Sequence, residues 1–142
     1  MTGEEAMPGR AQVTVNVDGG SRGNPGPAAI AAVIRADGQV VDEVGESIGH
    51  ATNNVAEYRA LLLGIERAVA IGATEVELIG DSELIVRQVE GRYKVKDATL
   101  KGLHRQVRSA LSSFDSWSIR HVRREQNADA DRLVNEVLDG EQ

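Results

Sequence analysis

The chain has 142 residues, 41% of them hydrophobic, a net charge of −6 and no cysteine. That length suits one domain with its own core, and the missing thiols exclude a disulfide framework and thiolate metal sites. Aromatic residues supply only 3%, so Val, Ile, Leu and Ala must build the core. No apolar run approaches the ~20 residues that a membrane-spanning helix needs. The polar, acidic start MTGEEAMPGR does not read as a signal peptide. The expectation is a cytoplasmic protein with no membrane partner.

The charge is unevenly spread. Residues 84–124 hold ten Lys or Arg against three acids, Glu90, Asp97 and Asp115, while the remainder is strongly acidic. Such asymmetry fits a basic face for a polyanion, or equally an ordinary solvated helix surface.

Residues 1–11 read as a flexible tail, 12–139 as one domain and 140–142 as a short C-terminal tail. Val13, Val15 and Val17 alternate with Thr14, Asn16 and Asp18, the period of a half-buried strand over 12–18. The run GGSRGNPGP reads as a tight connection to a second strand over 28–35. ADG at 36–38 signals a hairpin into a third strand over 39–48. The period then changes. Leu61, Ile65 and Ala68, with Leu62 and Val69, mark one face of a helix that Thr52, Asn53 or Asn54 can cap and Gly72 can stop.

TEVELIGDS (74–82) returns to period two, with Val76 and Leu78 set against Glu77 and Ile79, and ends on Asp81. SELIVRQVEG is a short helix closed by Gly91, and a basic connector, RYKVK, follows it. Leu100, Leu103, Val107 and Leu111 mark a helix capped by Asp97. SWSIRHV (116–122) is a fifth strand, and NADADRLVNEVL a last helix capped by Asn127. The order β-β-β-α-β-α-α-β-α predicts an α/β fold with a mixed five-stranded sheet and helices on both faces. A fourth strand lying parallel beside the first would bring Asp18 and Asp81 together.

Four acids stand out by position: Asp18, Glu57, Asp81 and Asp131. Each has an ordinary explanation. Asp18 can form a turn, Glu57 and Asp131 can favour the positive end of a helix dipole, and Asp81 can cap the helix starting at Ser82. Spacing alone does not say that they converge.

The words DGGSRGNPGPAA, ATNNVAEYRALLLGI, LIGDSELIVRQV and REQNADADRLVNE resemble, in this order, the motifs of type 1 ribonuclease H, over about residues 12–139. The resemblance implies a ribonuclease H-like fold and a metal-dependent endonuclease. Such an enzyme hydrolyses the RNA strand of an RNA–DNA hybrid and leaves 3′-hydroxyl and 5′-phosphate ends. It places Asp18, Glu57, Asp81 and Asp131 as catalytic metal ligands, Asp131 being preferred to Asp129 because ADRL matches the family word. Two Mg²⁺ ions, with Mn²⁺ as a substitute, suit such carboxylates, and no organic cofactor is expected. The resemblance puts Asn24 and Asn54 at the minor groove of the hybrid, aided by backbone around Gly19, Gly20, Ser21, Arg22 and Gly23. Asn53, Ser82, Arg124 and Asn127 join them as expected substrate contacts, and Arg92, Lys94 and Lys96 as contacts to DNA phosphates.

Two features depart from the family pattern. Only GRYKVKDATLK stands where many relatives carry an extra basic helix and loop. The short loop before the last acid, VRREQNADAD, has no histidine of its own; His121 precedes it at the end of the fifth strand, and Arg123 or Arg124 sits nearer that position. His50 and His104 lack a motif and read as structural or solvent-facing. A monomer is expected. The rival readings are a non-catalytic hybrid-binding domain of the same fold and a related nuclease acting on duplex RNA or DNA.

Overall fold

The computed structural model describes residues 11–140. Most of the tail expected over 1–11, and residues 141 and 142, lie outside the described residues. Ala11 is described, and its carbonyl accepts from the backbone N–H groups of Thr74 and Glu75 at 2.8 Å each.

Ten elements follow in chain order. They are β1 (Gln12–Ser21), β2 (Gly26–Ala36), β3 (Gln39–Ala51), α1 (Asn53–Ala70), β4 (Glu75–Gly80), α2 (Glu83–Val89), α3 (Ala98–Leu111), β5 (Ser116–His121), a 3₁₀ turn (Arg124–Asn127) and α4 (Ala128–Gly140). The sheet order is β3-β2-β1-β4-β5. The first three strands form an antiparallel meander, and β4 joins β1 in parallel, with Asn16 opposite Ile79. β5 lies parallel outside β4, with Gly80 opposite His121. The expected mixed five-stranded sheet is therefore present.

Helices cover both faces. Val13, Val15 and Val17 of β1 pack with Leu61, Ile65 and Ala68 of α1 and with Val107 and Leu111 of α3. On the other face Ala29 and Ala31 of β2 meet Val134 and Leu138 of α4. Small residues let α1 lie close to the sheet. A Cβ added at Gly64 would sit 2.7 Å from a methyl of Val15 and 2.9 Å from one of Val17. The β2–β3 hairpin turns through Asp37 and Gly38 at φ 54° and 77°, the left-handed pair that a two-residue hairpin turn of this hand requires.

Several local expectations are corrected. The connection between β1 and β2 is shorter than its glycines suggest, because the ladder runs on to Ser21 opposite Ala28. Likewise β3 continues to Ala51. The α1 cap is Thr52, whose side chain accepts from the Val55 N–H, and neither Asn53 nor Asn54 serves. Val69 is exposed, since it lies on the outer edge of the α1 stripe. Ile79 is buried against the second face of the sheet, although its period puts it opposite Leu78. Asp97 does cap α3, accepting from the Leu100 N–H at 3.0 Å. Asn127 does not cap α4. It ends a 3₁₀ turn with its side chain buried.

Candidate active site

The parallel pairing of β1 and β4 carries Asp18 and Asp81 to the same end of the sheet. Asp18 lies within β1, and Asp81 follows the last residue of β4. Asp81 is not a helix cap; Ser82 is, accepting from the Ile85 N–H at 3.4 Å. Glu57 sits beyond the first turn of α1, which holds no acid, so the helix dipole gives no account of it. Its place depends on Gly19. A Cβ there would lie 2.2 Å from the Ala56 carbonyl oxygen and 2.8 Å from the Glu57 nitrogen. Without a side chain, β1 and α1 touch backbone to backbone, and the Gly19 N–H donates to Glu57 Oε1 at 3.3 Å.

One carboxylate oxygen from each of Asp18, Glu57 and Asp81 lies within 4.8 Å of the other two, the one such group among the described residues. Asp131, in the first turn of α4, lines the same cleft of about 450 Å³, close enough for its charge to act on Asp18. Asp129 faces elsewhere and pairs with Arg35. All four expected acids thus border one cleft, three as a tight group and the fourth beside them.

Crowding and burial leave their mark on protonation. Burial, then the charges of Asp81 and Asp131, push Asp18 up to about 8, against a partial opposing pull from Arg124. Burial and the charges of Asp18 and Asp81 hold Glu57 well above the usual carboxylate range, although the Gly19 N–H and Arg124 oppose the shift. Arg124 lines the cleft, while Arg123 pairs with Glu125 out in solvent. Hard carboxylate oxygens, packed closely with so little cationic compensation, are the donor set that a hard divalent cation takes.

Apart from Asn127, the expected substrate contacts divide into three groups. Gly20, Ser21, Arg22, Asn53, Asn54, Ser82 and Arg124 line the acid cleft. Asn53 Oδ1 accepts from the Ser21 N–H at 2.9 Å, and Arg22 reaches Asp139 at 2.8 Å. Gly19 also borders the cleft, but its N–H is used by Glu57; the close approach it permits is that of α1. Asn24 lies to one side, where its Oδ1 accepts from the Asn53 N–H at 3.0 Å beside exposed Gly23. Arg92, Lys94 and Lys96 are on the α2–α3 connector, and none of them lines the cleft.

Asn127 needs correction as a substrate contact. It is 1% exposed, and its side chain bonds Asn16, the Val17 carbonyl and Asp81. Nothing in the local sequence distinguishes a buried amide from a cap at the start of a helix. The histidines conform to their structural reading where they are bonded: His104 Nε2 meets the Gln88 carbonyl at 2.9 Å, and its ring stands edge-on to Tyr58.

Among the described residues, no helix is long and apolar enough to cross a membrane. A family model described as "Reverse transcriptase-like" matches residues 16–137. "Ribonuclease HI" of Halobacterium salinarum is 48% identical over 123 residues, 86% of this chain and 62% of that protein. A "Bifunctional protein" of Mycobacterium tuberculosis is 47% identical over 130 residues, 90% of this chain and 36% of that protein. The chain thus spans less than two thirds of the length of either curated relative. Among solved structures, RNase H1 of Halobacterium salinarum superposes with a TM-score of 0.89 at 46% identity, covering 91% of this chain and 98% of that one. LC11-RNase H1, solved in complex with an RNA/DNA hybrid, gives 0.86 at 43% identity, covering 90% and 97%. With the matched model reaching across most of its length and the same sheet and helices in place, the chain belongs to the reverse transcriptase-like family and has the type 1 ribonuclease H fold.

Proposed function

We propose that residues 12–139 form a metal-dependent endonuclease that hydrolyses the RNA strand of RNA–DNA hybrids, leaving 3′-hydroxyl and 5′-phosphate ends. The observation that carries this reading is the group of Asp18, Glu57 and Asp81 oxygens within 4.8 Å of one another, with Asp131 on the same cleft. The likeness to a ribonuclease HI and to an RNase H1 solved on a hybrid supports the choice of substrate.

In this reading the four carboxylates hold two Mg²⁺ ions, for which Mn²⁺ can substitute. When bound, such ions supply a deprotonated water in line with the leaving oxygen and relieve charge on the reacting phosphate. The rest falls to the chain. Asp18 and Glu57, whose charged forms burial disfavours, would hold the cations together with Asp81 and Asp131. Arg124, facing Asp18 and Glu57 across the cleft, meets the phosphate. Asn54 and the Asn53–Ser21 pair face the minor groove, where a 2′-hydroxyl separates RNA from DNA. Arg92, Lys94 and Lys96 take phosphates of the DNA strand. A monomer in the cytoplasm, without an organic cofactor, completes the reading.

The test is turnover of matched, labelled substrates in Mg²⁺. The expected result is cleavage of the hybrid, on its RNA strand, with duplex RNA and duplex DNA left largely intact. Tight binding of the hybrid with no cleavage would overturn the enzymatic reading in favour of a binding domain.

A further inference from the structure

A chain of polar side chains runs through the molecule beside the acid cleft and ends on one of its acids. Arg35 on β2 pairs with Asp129 at the start of α4, and its guanidinium donates to Asn16 Oδ1 at 3.3 Å. Asn16 Nδ2 donates to Asn127 Oδ1 at 2.9 Å. Asn127 Nδ2 donates to the Val17 carbonyl at 2.8 Å and to Asp81 Oδ2 at 3.3 Å. Asn16 and Asn127 lie 111 residues apart, so the contact exists only in the folded chain.

The polarity of this chain is forced. An amide can present its oxygen or its nitrogen to a neighbour, but a guanidinium only donates. Arg35 therefore obliges Asn16 to turn its oxygen towards β2 and its nitrogen towards Asn127. Asn127 must then offer its oxygen to Asn16, which leaves its two N–H groups for the Val17 carbonyl and Asp81. The Val17 carbonyl immediately precedes Asp18, so one buried amide spans the strand of one acid and the side chain of another. Through Asp129 the same chain also ties down the helix turn that carries Asp131.

We propose that Asn127, oriented by Asn16 and Arg35, is a positioning residue that fixes the Asp81 carboxylate for divalent-cation binding. The proposal rests on the nuclease reading for what the cation does, but not for whether it binds. An N–H held on one Asp81 oxygen restricts the rotation of that carboxylate and sets which oxygen faces Asp18 and Glu57. Hydrogen-bond partners standing behind metal ligands commonly change metal affinity by about 10–100-fold when removed.

Asn16→Asp tests it, because Asn16 does not line the acid cleft. The new carboxylate still accepts from Arg35 but offers Asn127 an acceptor in place of a donor, so Asn127 must turn its oxygen towards Asp81 or lose that bond. The expected result is a rise of about tenfold in the Mg²⁺ midpoint measured by calorimetric titration. At saturating Mg²⁺ the KM for hybrid should stay within about twofold, with the loss confined to kcat. Arg35→Lys, which keeps a donor at the head of the chain, should hold the midpoint near that of the parent, whereas Arg35→Met should raise it; this pair decides the matter if Asn16→Asp does not fold. A parent that binds Mg²⁺ without cutting hybrid would sink the nuclease reading and leave the midpoints to judge the relay. Variants that lose thermal stability yet keep the Mg²⁺ midpoint of the parent would overturn the relay while leaving the nuclease reading intact.

Discussion

Gly19 and Glu57 meet where β1 and α1 come closest, the Gly19 N–H donating to Glu57 Oε1 at 3.3 Å. A methyl group at Gly19 would fall 2.2 Å from the Ala56 carbonyl, and the obstacle is backbone, which cannot swing aside. Gly19→Ala should therefore push α1 off the strand. A loss of about 3 kcal/mol is expected in denaturant unfolding, together with weaker divalent binding as Glu57 moves away from Asp18. Unchanged stability would show that α1 yields more easily than its packing implies.

The crowded acids make stability depend on pH in a defined direction. Asp18 in the folded chain titrates near 8, against an ordinary value of 3.8, so between those limits the folded state holds a proton that the unfolded chain has released. Stability must then fall as pH rises through that window, and Glu57, shifted the same way, adds to the fall. The melting temperature in EDTA should drop between about pH 5 and 8, and Mg²⁺ should restore much of it. Asp18→Asn removes the larger part of the Asp18 contribution and should raise Tm at pH 8 by about 3 °C or more, while abolishing cleavage. A flat profile in EDTA would contradict this.

Tyr58 lies one residue beyond Glu57 and is fully buried. Its hydroxyl donates to Gln88 Oε1 at 2.6 Å, and Gln88 Nε2 in turn donates to the Lys94 carbonyl at 3.4 Å. Tyr58→Phe leaves a buried amide oxygen without its donor and should cost about 1–2 kcal/mol, measured by urea unfolding. An unaltered midpoint would mean that Gln88 finds another partner.

The element order is legible in the sequence because strand and helix periods are clean and the caps are local. Val13, Val15 and Val17 alternate, and Asp97 caps α3 as its sequence suggests. The parallel placement of β4 beside β1 follows from the intervening helix, and with it the meeting of Asp18 and Asp81. Other features depend on contacts distant in sequence. Gly19 reads as turn chemistry but is strand, and its lack of a side chain answers to α1. Ile79 departs from the simple alternation because the second face of the sheet is covered as well. Asn127 has the signature of a cap, and only its partners on β1 and after β4 disclose another role.

The connector between α2 and α3 tests the partner. If Arg92, Lys94 and Lys96 bind DNA phosphates, their combined replacement by Ala should weaken hybrid binding and flatten its salt dependence, by about 0.9 in log–log slope for each phosphate no longer neutralised. The rate of the bound complex should be unaffected. An unchanged slope would remove the connector from the binding surface.

The most direct measurement is single-turnover cleavage of a labelled RNA–DNA hybrid by Asp81→Asn in saturating Mg²⁺, with hybrid affinity measured alongside. The predicted result is a fall of about a thousandfold or more with the affinity kept or improved, since a negative charge facing phosphate has gone. Cleavage within about tenfold of the parent would contradict a catalytic role for this carboxylate.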